Sequence, residues 1–178
     1  MLKESILVLT GIVALIAGIT DWRWRRIPNW LTVPAAALGL AVNSMAYGWT
    51  GLKSAAAGLG MGLLLLFPFV LLRALGAGDW KLAGALGALL GVHKLLVVLA
   101  GAVLIAGVMA LVLVIYKRRF IETMRNMGRL LFALATGHPG VRSVSLDNPA
   151  SLKVPFGVAV ALAAILFVGS HFALRWSA

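Results

Sequence analysis

Only five acidic residues occur in this 178-residue chain, and two of them, Asp21 and Asp79, stand at the ends of long apolar runs. Asp21 closes the stretch 6–20; Asp79 lies between the run 55–75 and another that begins at Leu82. A carboxylate at the bilayer centre costs about 2.5–3.5 kcal/mol on insertion scales, so an acid beside hydrocarbon is a functional-site hypothesis by default. Two carboxyls held close cannot both ionise easily, and such a pair shares one proton near neutral pH. The ionised member can take a proton from water as it attacks a peptide carbonyl. The protonated member can hydrogen-bond the developing oxyanion and then protonate the leaving amine. The sequence does not decide which aspartate starts in which state.

The flanking residues are Asp21-Trp22-Arg23-Trp24-Arg25-Arg26-Ile27-Pro28-Asn29 around the first acid and Gly76-Ala77-Gly78-Asp79-Trp80-Lys81-Leu82 around the second. Gly76 and Gly78 are expected to permit close backbone approach and unusual dihedrals beside the carboxylate, opening a path for a substrate strand. Pro28 fixes the start of the second helix and Asn29 places an amide beside it. Either acid alone reads better as an interfacial residue satisfied by a nearby Arg or Lys, or as a helix cap, than as a site. Both on one predicted face, with Gly-x-Gly-Asp at one of them, favour chemistry.

The elements that must position this pair are membrane helices. The chain is 62% hydrophobic and 12% charged, its mean hydropathy is +1.02, and several runs approach the roughly 20 apolar residues that span a bilayer. The composition excludes a sizeable soluble domain. Six segments are predicted, at about 5–21, 31–48, 55–75, 80–92, 95–116 and 154–173, forming an all-α polytopic bundle of about six transmembrane helices in a single domain, 1–178. One helix through the fourth and fifth would reach about 50 Å against a core of about 30 Å, so a tight turn is expected near Gly91–Lys94. An interrupted or re-entrant fourth segment is the alternative. The first apolar run resembles a signal peptide, but no small-x-small site precedes Asp21 and the basic cluster follows the run, so it is read as a retained first helix.

The net charge of +11 arises from basic residues between apolar segments. It points to anionic headgroups and to orientation, with no nucleic-acid partner. With the N-terminus outside, twelve of the sixteen Lys and Arg fall inward; Lys3, Lys53, Lys94 and Arg175 fall outward. The positive-inside rule then puts both aspartates at the cytoplasmic end. Trp22, Trp24, Trp30 and Trp80 flank that side, and Trp49 and Trp176 the other. Residues 117–153 form the one long loop, where apolar residues at three- and four-residue steps and interleaved arginines predict a basic amphipathic helix on the inner leaflet. His93, His138 and His171 lack ligand spacing, and cysteine is absent, so neither a metal nor another cofactor is expected. Gly58, Gly60, Gly62, Gly84, Gly87 and Gly91 are read as close-packing positions, and Pro68 as a bend.

These residues resemble the type IV prepilin peptidases, and more closely the short form that serves Flp or tight-adherence pili. The matching elements are Asp21-x-Arg23 with Ile27-Pro28-Asn29, then Gly76-x-Gly78-Asp79-x-Lys81-Leu82, and less specifically Val154-Pro155-Phe156-Gly157. The resemblance implies an intramembrane aspartic endopeptidase of pilus biogenesis and secretion, with Asp21 and Asp79 as the catalytic pair and Arg23, Pro28, Asn29, Gly76, Gly78 and Lys81 in support. It implies removal of a short basic leader from prepilin-type membrane proteins, at the cytoplasmic face of the bacterial inner membrane. Methyl transfer, which the long form adds, is not expected, because the first apolar run begins at residue 5 and the paired cysteines are missing. The rival classes are a proton-coupled transporter, which also uses membrane acids as a relay, and a non-enzymatic pilus-assembly membrane protein. A presenilin-like protease shares Gly-x-Gly-Asp, but its partner acid lies in a Tyr-Asp pair.

Overall fold

A computed structural model describes residues 2–71, 75–117 and 155–176. Among these residues every secondary-structure element is an α-helix: α1 (Leu2–Trp24), α2 (Asn29–Leu71), α3 (Ala77–Tyr116) and α4 (Phe156–Trp176). Each contains a stretch long and apolar enough to cross a membrane. The predicted amphipathic helix of the 117–153 loop, together with Arg73, His138 and Val154, lies outside the described residues.

Four helices stand where about six were expected, because two of the anticipated connections shrink to single residues. Gly48 (φ 61, ψ −142) interrupts α2 and Gly91 (φ 74, ψ 174) interrupts α3. Both dihedral pairs lie where a Cβ would clash, so glycine is the residue that can turn the chain there. The chain doubles back at each. A Cβ on Gly51 would strike the carbonyl of Asn43, eight residues earlier, and one on Gly87 would come within 3.0 Å of Leu95 Cδ2. The expected turn near Gly91–Lys94 is therefore realised at its first residue. The anticipated gap between 48 and 55 is instead helical from residue 49.

The second half of α2 runs antiparallel to the first half of α3, with Gly58 against Gly87 and Gly62 against Ala83 and Gly84. These backbones approach so closely that no Cβ fits at Gly58, Gly62 or Gly87, the use of small residues typical of membrane bundles. Gly60 does not share this role. It lies on the opposite face of the helix from 58 and 62, and a Cβ there would meet nothing within 4 Å. Gly91 serves as the hinge. Pro68 lies within α2 without leaving helical dihedrals.

Residues 82–91 are buried without exception. A helix apolar on every side belongs in the middle of a bundle, and Leu82, Leu86 and Leu89 form the fully buried centre with Leu95, Val98 and Val160. The break at Gly91 orphans the last carbonyls of this buried segment. Asn43 answers them. Its side-chain nitrogen lies 3.0 Å from the carbonyls of both Ala88 and Leu89 and 2.9 Å from that of Gly39. Trp80, expected as an interfacial anchor, is instead partly buried. Its Nε1–H donates to the Leu63 carbonyl (2.6 Å) and its ring meets Phe67 at 6.0 Å. Trp22, Trp24, Trp30 and Trp49 remain exposed, as side chains at a lipid interface would be.

Candidate active site

Asp21 lies three residues before the end of α1, and the way that helix stops sets its position. Arg25 adopts φ 51, and its N–H donates to the Asp21 carbonyl (2.9 Å). This is the αL termination, a single bond from the residue past the cap to the third residue before it. For a non-glycine residue it costs about 1–2 kcal/mol. Pro28 then restricts Ile27 to extended backbone, and its carbonyl accepts the Leu31 N–H (3.1 Å) as α2 begins. Thus Pro28 acts as expected, as the residue that starts the second helix.

Asp79 is the third residue of α3, which begins after Gly76 (φ −71, ψ 143). Its carboxylate folds back beside Gly76, where an added Cβ would lie 3.2 Å from Oδ2. That is the position of the acidic residue of a capping box, without the usual Ser or Thr partner. Neither Gly76 nor Gly78 takes a positive φ; among the described residues only Gly48, Gly91 and Arg25 do. The expectation of unusual dihedrals beside Asp79 is corrected: the space at Gly78 serves packing. A Cβ on Gly78 would lie 3.0 Å from Ile27 Cβ and 3.2 Å from both the Ile27 nitrogen and oxygen. The two acid-bearing segments thus meet through backbone contact at Ile27, which is itself buried.

This contact sets the segment that carries Asp79 against the turn that follows Asp21. Asp21 is 7% exposed, and Asp79 is half-buried. Lys81 Nζ donates to Asn29 Oδ1 (2.9 Å), a second tie between the same segments. Lys81 is two residues from Asp79, about 200° around the helix, so it faces Asn29 and not the carboxyl on its own helix. The same rule separates Arg23 from Asp21. Arg23 is exposed, with its guanidinium 5.5 Å from the Trp24 ring centre. Of the residues singled out in the sequence, Asp21, Asp79, Asn29, Gly76, Gly78 and Lys81 gather here, Pro28 begins the adjoining helix, and Arg23 turns away.

One contributor escaped the sequence reading. Asp21 Oδ2 accepts the Val158 N–H (3.1 Å), and Gly157 packs directly against the same carboxylate. Both residues belong to the first turn of α4. The signal available was Val154-Pro155-Phe156-Gly157, but nothing local in it names the carboxylate it would meet. On the outer side of α1 and α4 an apolar groove of about 580 Å³ runs from Leu15 and Ile165 to Trp22, Arg23 and Val158. Among the described residues no group of three or more His, Asp or Glu side chains gathers to hold a metal ion.

Two carboxyls carried on segments that meet in this way can divide one proton and so supply an acid and a base together once they are close. Comparison with curated proteins and with solved structures gives no match. The model of the type IV leader peptidase family matches residues 8–111, a span that holds both aspartates, the Ile-Pro-Asn segment and the turn at Gly91. More than half of the chain is covered, and the chain belongs to the type IV leader peptidase family.

Proposed function

We propose that this protein is an intramembrane aspartic endopeptidase that removes the short basic leader of prepilins, with Asp21 and Asp79 as its catalytic pair. The observation that carries the proposal is the contact at Ile27 between the two acid-bearing segments, each at the end of an apolar helix, within the span matched by the leader peptidase family. One carboxylate draws a proton from the attacking water. The other, protonated, stabilises the oxyanion and then delivers its proton to the leaving amine. The substrate's apolar segment would lie along the groove between α1 and α4, whose wall includes Val158, the residue bonded to Asp21.

The proposal extends to the short Flp or tight-adherence type, without methyl transfer. Its setting is the bacterial inner membrane: α2 and α3 each cross twice about their glycine breaks, the N-terminus lies outside, and the active site faces the cytoplasm. Support comes from the twelve-to-four division of basic residues. Prepilins and anionic lipid headgroups are the proposed partners. The test uses proteoliposomes of the purified protein with a prepilin, scored by the appearance of a shortened band. Asp21→Asn and Asp79→Asn are each expected to abolish cleavage while leaving membrane insertion intact. Full cleavage by either variant would remove that aspartate from the mechanism.

A further inference from the structure

The first turn of α4 lies beyond residues 8–111, yet it bonds directly to Asp21. A helix begins with backbone N–H groups that have no partner within it. Here Pro155 supplies the carbonyl that starts the helix, accepting the Ala159 N–H (3.4 Å). The Val158 N–H is one of those left over, and it donates to the Asp21 carboxylate (3.1 Å). The approach depends on the missing side chain at Gly157. A Cβ there would sit 2.8 Å from Asp21 Oδ2, 3.0 Å from Asp21 Cγ and 2.8 Å from Ile27 Cδ1. Further into the bundle α1 and α4 are equally tight, since a Cβ on Gly18 would come 2.8 Å from Ala161 Cβ. The two helices are therefore closely packed along this seam, from Gly18 and Ala161 to Asp21 and Gly157.

We propose that Gly157 is a positioning residue: it lets the first turn of α4 close on Asp21, so that the Val158 N–H holds the carboxylate in register with Asp79. This role presupposes the peptidase reading of Asp21. In it α4 supplies no reacting group. It fixes the orientation of one, as an oxyanion-type cradle of backbone donors fixes a charge. Alanine at position 157 cannot be absorbed without moving the Asp21 carboxyl or the Ile27 side chain.

The experiment compares Gly157→Ala with Gly169→Ala, on the same helix, where an added Cβ meets nothing within 4 Å. Steady-state cleavage of a prepilin in proteoliposomes is expected to show kcat for Gly157→Ala reduced about 10- to 100-fold, the scale of a misplacement approaching 1 Å. KM should stay within about threefold, and Gly169→Ala should match wild type. A second variant changes no side chain: Val158 replaced by its α-hydroxy acid, which turns the N–H into an ester oxygen and should lower kcat in the same sense. An arm without turnover labels Asp21 with a hydrophobic carbodiimide, which takes protonated carboxyls. Hydrogen bonds to a carboxylate favour its charged form, so both variants should label at least threefold faster than wild type at a fixed pH near 6. Wild-type cleavage failing while labelling responds would sink the peptidase reading and leave the α4 cradle standing. Labelling unchanged in both variants, or Gly157→Ala turning over within threefold of wild type, would overturn the proposal.

Discussion

Gly78 offers the sharpest test of how the two acid-bearing segments are held, because everything a new Cβ would meet there is rigid. The three nearest atoms, at 3.0–3.2 Å, are the Cβ, nitrogen and oxygen of Ile27. None is the tip of a flexible side chain, so relief requires the Ile27 turn or the first turn of α3 to move by a few tenths of an ångström for alanine. Valine adds two methyl groups in the same place and drives the shift toward 1 Å. Ile27 follows Asp21 by six residues and Gly78 directly precedes Asp79, so the movement passes into the geometry of the carboxyl pair. Misplacement by about 1 Å can cost on the order of 100-fold in rate, which is about 2.7 kcal/mol of barrier. We therefore expect Gly78→Ala to lose about tenfold and Gly78→Val about 100-fold or more in single-turnover cleavage. Overpacking should cost about 1–3 kcal/mol of stability, leaving expression and detergent-solubilised folding largely intact. Gly76→Ala should be milder, since its Cβ would meet only the Asp79 carboxylate tip at 3.2 Å. Gly60→Ala, in open space, is the control. Gly78→Val cleaving within threefold of wild type, with Gly60→Ala unchanged, would refute the idea that this contact sets the distance between the acids.

Asn43→Ala should lower the thermal midpoint in detergent by the equivalent of about 1–2 kcal/mol, the upper range for interhelical hydrogen bonds in membranes. It strips the donor from the Ala88 and Leu89 carbonyls, and an unchanged midpoint would mean that those groups need no cap. Cleavage should survive chelators, thiol reagents and serine-protease inhibitors, and should fall at low pH where both carboxyls are protonated and at high pH where both are ionised. Activity lost to a chelator and restored by one divalent metal would contradict a two-carboxyl mechanism. A reporter fused after Arg119 should lie in the cytoplasm, and reporters at Gly51 or the C-terminus outside. Labelling that puts the 117–153 loop outside would overturn the cytoplasmic placement of the site.

Much of this protein was legible in its sequence because the determining forces are local or compositional. The apolar content selected membrane-spanning helices, the cost of charge in hydrocarbon singled out Asp21 and Asp79, and the length limit of a bilayer required a turn where Gly91 makes one. Other features could be settled only by tertiary contact. Gly58, Gly60 and Gly62 look alike along the chain, yet only the first and third face α3, because helical spacing puts the middle one on the other side. Asn43 is a lone amide in an apolar run until the break at Gly91 orphans two carbonyls beside it. Trp80 has the pattern of an interfacial anchor, but its indole is drawn inward by the Leu63 carbonyl. The Asp21 carboxylate meets the N–H of Val158 across 137 residues of chain. No periodicity encodes such a meeting, since it depends on how closely α1 and α4 pack, and that distance is set jointly by small residues on two helices that are far apart in sequence.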